Sequence, residues 1–309
     1  MILASPSDEC EFKAECRVIG KKTMGQISKK LHQKLAAKAG NLPNSAPRRH
    51  PGEPLPGGIK DIKMLIEEGL DPIHAAYVYV QRISSHFAEG VSRLPELKLY
   101  AKLAGDAEEE YMPSGPPMSP LTVSYFTCWA FYDLRFGRDG DTIGKCQIDA
   151  NDIFLLNPDQ LETLHKLSES RMGIYEHVGA ADGLVRLREL ITGDEFSCLS
   201  TSGYQGRSGE LWYVRRLPPL LPEYAKFHVL FTTPYILIES KIDDWLQFLK
   251  RTLLAVKGHD DRDRLYQLLK FGFDANFWNE FVFTAYHHHQ AQAIFLAGIP
   301  DLQATLPHA

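Results

Sequence analysis

Residues 184–217 read LVRLRELITGDEFSCLSTSGYQGRSGELWYVRRL, and this stretch decides the fold. Val185 and Leu187 alternate with Arg186 and Arg188, the period-two pattern of a half-buried strand. Thr192-Gly193-Asp194 has turn chemistry, and a second strand runs through Phe196 and Cys198. A glycine-rich loop, Gly203-x-x-Gly206-x-x-Gly209, then leads to a third strand over 210–217. A dinucleotide site needs such glycines between a strand and a helix. Here a strand follows, so the loop reads as a hairpin connection. Short strands joined by turns predict a small antiparallel sheet or barrel.

Helical patterns surround this unit. Pro158 opens a helix carrying Leu161, Leu164, His165 and Leu167. Trp245, Phe248, Leu249, Leu253 and Val256 form one face of a helix over 242–256. Asp260 and Asp261 begin another, and 276–289 reads as a last helix. Upstream, helices are expected over 59–68, from Asp71 to Phe87, and over 95–103. The segment 105–120 reads as an acidic, proline-rich linker. Residues 121–136, LTVSYFTCWAFYDLRF, read as a long strand, because aromatic and β-branched residues are enriched in strands. Asp139-Gly140 follows as a hairpin turn.

The expected fold is therefore α+β, with a central small antiparallel sheet or barrel-like unit flanked by helices. The expected segments are a basic arm and linker over 1–58, a helical segment over 59–104, the α+β core over 121–240 and a C-terminal helical segment over 241–309.

The arm is set apart by charge. From Arg17 to Gly52 there is no Asp or Glu, and Arg17, Lys21, Lys22, Lys29, Lys30, Lys34, Lys38, Arg48 and Arg49 give it +9. The chain carries −5 in all, which leaves −14 for the remainder. Such a split points to contact with something anionic, nucleic acid or an acidic protein partner. No Phe, Tyr or Trp interrupts the stretch, so base stacking and sequence-specific readout are not expected. The plainer alternative is a solvated tail, or an arm packing on the acidic body of a partner subunit. Residues 23–39 can form a helix, with Thr23 and Gln26 as a capping box and Met24, Ile27, Leu31 and Leu35 on one stripe.

Other bounds are exclusions. No run of about 18 apolar residues is present, so a spanning helix and a membrane partner are not expected. The first residues lack the pattern of a secretory signal. Five cysteines at wide spacing predict reduced thiols in a cytoplasmic protein rather than a disulfide framework. Cys10 and Cys16 lack the further ligands a zinc knuckle needs.

Three constellations could carry chemistry. Asp133, Asp139 and Asp141 cluster near a hairpin, and Glu239-Ser240-Lys241 has the E-x-K spacing of one nuclease class. Together, Asp133, Glu239 and Lys241 would make a metal-dependent hydrolase or nuclease, if they converge. Turn chemistry already explains Asp139-Gly140-Asp141, and helix-start chemistry explains Ser240 to Asp244. Tyr286-His287-His288-His289 would place His287 and His289 on one face of a strand as two metal ligands, with Glu280 or Asp301 as a third. In a helix, the plainer reading, the three imidazoles diverge. No nucleophile elbow, phosphate loop or H-E-x-x-H occurs. No catalytic residue, metal ligand or cofactor is assigned on these grounds, and the leading expectation is a non-catalytic binding or accessory protein, or else a protein-interaction scaffold.

Three segments also occur together in order: WAFYDLRFGRDGDT at 129–142, NPDQLETL through SRMGIYEHV at 157–178, and GLVRLRELITGDEF with GELWYVRRLPPL at 183–220. This middle region resembles uncharacterised bacterial proteins often associated with a SEC-C zinc motif. The resemblance implies a shared fold more than an activity. The closely spaced cysteine and histidine pairs of the SEC-C motif itself are absent from this chain.

Overall fold

The computed structural model describes residues 24–40, 62–72, 74–75, 77–80, 82, 95–114, 119–154, 156, 158–219 and 226–308. Strand β1 (Met172–Ala181) pairs antiparallel with β2 (Leu184–Glu189), and β2 with β3 (Glu195–Ser200). β4 (Leu211–Leu217) pairs antiparallel with both β1 and β5 (His228–Leu230), while β3 and β5 run parallel. These five strands close into a barrel. On the side of β4 away from β1, where β5 takes only Arg216 and Leu217, β6 (Tyr235–Ile238) pairs with Leu211–Tyr213 and continues the sheet to β8 (Ile294–Ala297) and then to the edge strand β7 (Tyr286–His289).

The alternation along β4 shows why the barrel and the helices share one protein. Trp212 and Val214 point into the barrel with Tyr175, Val185, Leu187, Cys198 and Leu230. Leu211 and Tyr213 point the other way, into a core built with the helices. Period-two geometry thus makes one strand the wall of two cores. Arg215 falls on the helix side. The guanidinium of Arg216 lies 3.6 Å over the Phe196 ring on the opposite side.

The flanking helices are α1 (Gln26–Gly40), α2 (Ile62–Glu67), α3 (Lys98–Tyr111), α4 (Val123–Cys128), α5 (Ile143–Asp149), α6 (Asn151–Phe154), α7 (Pro158–Glu169), α8 (Ile242–Leu253), α9 (Asp261–Phe271) and α10 (Phe277–Thr284). The α+β class with a barrel-like unit between helices is as the alternation predicts. The core shared with the outer face of the barrel includes Leu31, Tyr100, Trp129, Trp245, Leu268 and Phe281, so segments from both ends of the chain pack together.

Three local expectations are corrected. Residues 121–136 are not a strand: α4 runs on into a π-helical turn, Trp129–Asp133. Thr122 caps it by accepting a hydrogen bond from Tyr125 N. Tyr125, Cys128, Trp129 and Tyr132 are buried, at helical rather than strand spacing, so packing overrides β propensity. The linker expected over 105–120 is helical as far as Tyr111, because Ala107 and Tyr111 are buried and the intervening glutamates are good helix formers. The last helix stops at Thr284. Ala285 O then accepts from Ala297 N, and 286–289 join the sheet as β7.

Candidate functional site

Helix α1 carries the described part of the basic stretch, and its inner face is fixed to the body. Leu31 is buried at 1% exposure, a placement that contributes roughly 1.5–3 kcal/mol by itself, and Ile27 packs beside it. The helix N-terminus meets the hairpin 136–141, which is closed by a bridge between Phe136 and Asp141. Asp139 accepts from Gln26 N at 2.7 Å and Asp141 from Ser28 N at 3.3 Å. Two carboxylates borrowed from a distant turn thus satisfy orphan amides and oppose the positive end of the helix dipole. Ser28 Oγ donates to Asp149, and His32 Nε2 lies 3.0 Å from Asp152.

The approach is close. A Cβ at Gly25 would sit 2.1 Å from Asp141 Oδ1, and one at Gly137 would sit 2.3 Å from Ile27 Cδ1. Lys145 bridges Asp141 at 2.7 Å and Asp149 at 3.4 Å. Burial pulls the Lys145 ammonium down, but the two carboxylates outweigh it and hold it above its usual range.

The expectation of an arm outside the body is therefore corrected for 26–37: this segment is docked. Lys29 and Lys30 are exposed on the outward side of α1, whereas Lys34 is ion-paired with Glu96. Lys38 lies in the last turn of α1. Arg17, Lys21, Lys22, Arg48 and Arg49 lie outside the described residues, as do Cys10, Cys16 and Thr23.

The acidic constellation is dispersed to three places. Asp133 is buried, paired with Arg215 and with Lys270 at 3.0 Å. Ser170 holds both cations: its carbonyl accepts from Lys270 at 2.6 Å and from Arg215 at 3.0 Å, and its hydroxyl accepts from Arg215 at 2.9 Å. Burial, opposed by the Asp133 charge, pushes the Lys270 ammonium down to about 8. Asp139 and Asp141 hold α1. Glu239 is exposed beyond β6, and Lys241 lines a cleft of about 570 Å³ with Glu210 and Asp243. Both Asp133 oxygens face cations of the core, so it is not brought together with Glu239 or Lys241. Asp244 accepts from Lys241 N at 2.8 Å, the helix-start role.

Glu239 adopts φ 62°, in the left-handed region that favours glycine, a strain of order 1–3 kcal/mol. Its carboxylate is 4.0 Å from His287 Nε2. Because 286–289 form a strand, the histidines follow strand geometry, with a bulge between Tyr286 and His288. The bulge brings together His287 and His288 rather than His287 and His289, and His289 Nδ1 pairs instead with Tyr286 Oη at 2.7 Å. Glu280 bonds Tyr111 and Asp301 pairs with Arg251, so neither third ligand considered from the sequence joins them. Among the described residues, no group of three or more His, Cys, Asp or Glu is arranged to hold a metal ion. Burial pushes the thiols of Cys128, Cys146 and Cys198 up to about 11, 12 and 12, which keeps them protonated and unreactive.

Sequence reasoning missed Arg215, Lys270 and Glu96 as partners, since nothing local marks a contact across such chain separations. Asp141, Lys145 and Asp149 did carry a signal, the i,i+4 spacing of a helical charge ladder. Among the described residues no helix is long and apolar enough to cross a membrane. No protein-family model, curated protein or solved structure matches this chain.

Proposed function

We propose that the protein is a non-catalytic binding factor that grips a polyanion, with nucleic acid as the ligand class, through its acid-free basic segment. The supporting observation is the orientation of α1. Its inner face is clamped by Leu31, Ser28 and the Asp139–Asp141 hairpin, and Lys29 and Lys30 remain exposed on its outer side. A docked helix presents these charges at fixed positions, which lowers the ordering cost that a free tail would meet on binding. The absence of aromatic residues from 17–52 fits contact with phosphates rather than with bases.

Deleting the whole segment is a poor test, because it would remove Leu31 from the core. Mobility shifts of a mixed-sequence DNA duplex and a mixed-sequence RNA should instead be compared at two salt concentrations for the wild type and a Lys29→Ala/Lys30→Ala variant. Each lost phosphate contact lowers the salt slope by about 0.9 for duplex DNA, so the double variant should lose about 1.8. Full retention of affinity and slope in the variant, or no binding by the wild type, rejects the reading.

A further inference from the structure

His287 and His288 sit where the edge strand bulges, and their Nδ1 atoms face each other at 2.7 Å. Both side chains are exposed. The His288 ring is stacked on Phe295, with centroids 4.3 Å apart and planes at 5°, which fixes its direction. The other nitrogen of His287, Nε2, points to Glu239 Oε1 at 4.0 Å. Glu239 is held there by its left-handed backbone at the end of β6, a conformation that persists only when the surroundings impose it.

We propose that His287 and His288 form a two-imidazole site for a divalent transition-metal ion, with Glu239 orienting His287 from the outer shell. A metal-binding histidine commonly donates its second ring N–H to a carboxylate, and Glu239 stands at 4.0 Å from His287 Nε2, within ion-pair reach and one small rotation short of that bond. The spacing selects the geometry. With metal–nitrogen bonds of roughly 2.0–2.1 Å, neighbouring ligands lie roughly 2.9 Å apart in a square-planar arrangement and roughly 3.3 Å apart in a tetrahedral one. The 2.7 Å contact is a hydrogen bond in the free protein, so on binding the donor ring shifts its proton to Nε2 and the two nitrogens part; the shorter square-planar spacing, that of Ni(II) or Cu(II), needs the smaller movement. Solvent supplies the remaining positions of a bound ion, since among the described residues no third His, Cys, Asp or Glu is arranged to join the pair as a ligand. His289 has no part in it, since its Nδ1 is engaged by Tyr286.

Calorimetric titration of the full chain with nickel chloride, in a buffer free of chelators, tests the assignment. The wild type should show one site that weakens at least tenfold in His287→Ala and in His288→Ala, and about tenfold in Glu239→Gln. His289→Ala should stay within twofold of the wild type. Thermal unfolding of each variant should match the wild type, because all four side chains are exposed. Equal weakening in His289→Ala would mean that the histidine run binds without strand geometry, and would overturn the proposal. So would a wild type that binds no nickel, or a Glu239→Gln variant with unchanged affinity.

Discussion

Four aspartates within seventeen positions of the chain are put to two opposite uses. Asp133 turns inward and neutralises Arg215 and Lys270 at the seam between barrel and helices. Asp139, Asp141 and Asp149 instead hold α1, Asp139 from the surface, Asp149 half-buried and Asp141 buried beneath the helix start. The chemistry is the same, carboxylate against cation or amide, but the surroundings differ. A buried charge has no water to fall back on, so its partners are obligatory. The exposed Asp139 at the helix end has water as an alternative, so its contact can be exchanged, and the buried Asp141 keeps Lys145 as a partner whether or not α1 is docked. The first assembly specifies the fold, and the second sets whether the basic helix is docked.

The largest effect should follow from breaking the inner assembly. Asp133→Ala leaves two buried cations without a carboxylate and should cost about 3–5 kcal/mol in urea unfolding. Replacing all three, as Asp133→Leu with Arg215→Met and Lys270→Met, removes the uncompensated charge and should recover most of that loss. If the single change is as mild as a surface one, the contrast between the two assemblies is wrong. The pH dependence has a definite sign. The Lys270 ammonium titrates near 8 in the fold, below its ordinary 10.5, so between these values the unfolded chain binds the extra proton. Its contribution to stability therefore rises with pH across that window. The Lys270→Met variant should lack this rise when unfolding is followed from pH 8 to pH 10.5.

A middle-sized effect should follow from separating α1. Gly25→Ala drives a methyl group into Asp141 and removes charge-assisted hydrogen bonds worth roughly 1.5–3 kcal/mol each. Trypsin should cut at Lys29 and Lys30 much faster, while amide hydrogen exchange of the barrel strands stays as in the wild type. Loss of both signals together would mean that α1 and the barrel unfold as one unit, and the comparison would fail from the other side.

How much of this the chain discloses depends on the range over which each signal acts. The alternation of Val185, Leu187, Trp212 and Val214 is local and reports the barrel faithfully. The stripe through Ile27 and Leu31 is equally local, and it marks the face that docks. In 121–136 two local signals compete. Aromatic and β-branched content argues for a strand, whereas Tyr125, Cys128, Trp129 and Tyr132 keep helical spacing, and burial favours the second. What the sequence conceals is partnership. Asp139-Gly140-Asp141 looks complete as a turn, yet its carboxylates serve a helix over a hundred positions earlier. Likewise the histidine run reads as helix until pairing with β8 makes it a strand, a fact that resides in Ile294–Ala297 and not in the run itself.

The smallest effect sharpens the boundary between docking charge and free charge. Lys34 and Glu96 are both partly open to solvent, so Glu96→Gln should change stability by less than about 1 kcal/mol. It nevertheless releases a cation adjacent to Lys29 and Lys30 from an internal partner. If the outward side of α1 contacts phosphates, that release adds one contact and should steepen the salt slope by about 0.9. Lys34→Ala should leave the slope unchanged, because a lysine already paired with Glu96 supplies no counterion-releasing contact. The two substitutions break the same ion pair and cost a similar amount in stability, so a difference between them in salt dependence separates a binding role for this helix from a purely structural one.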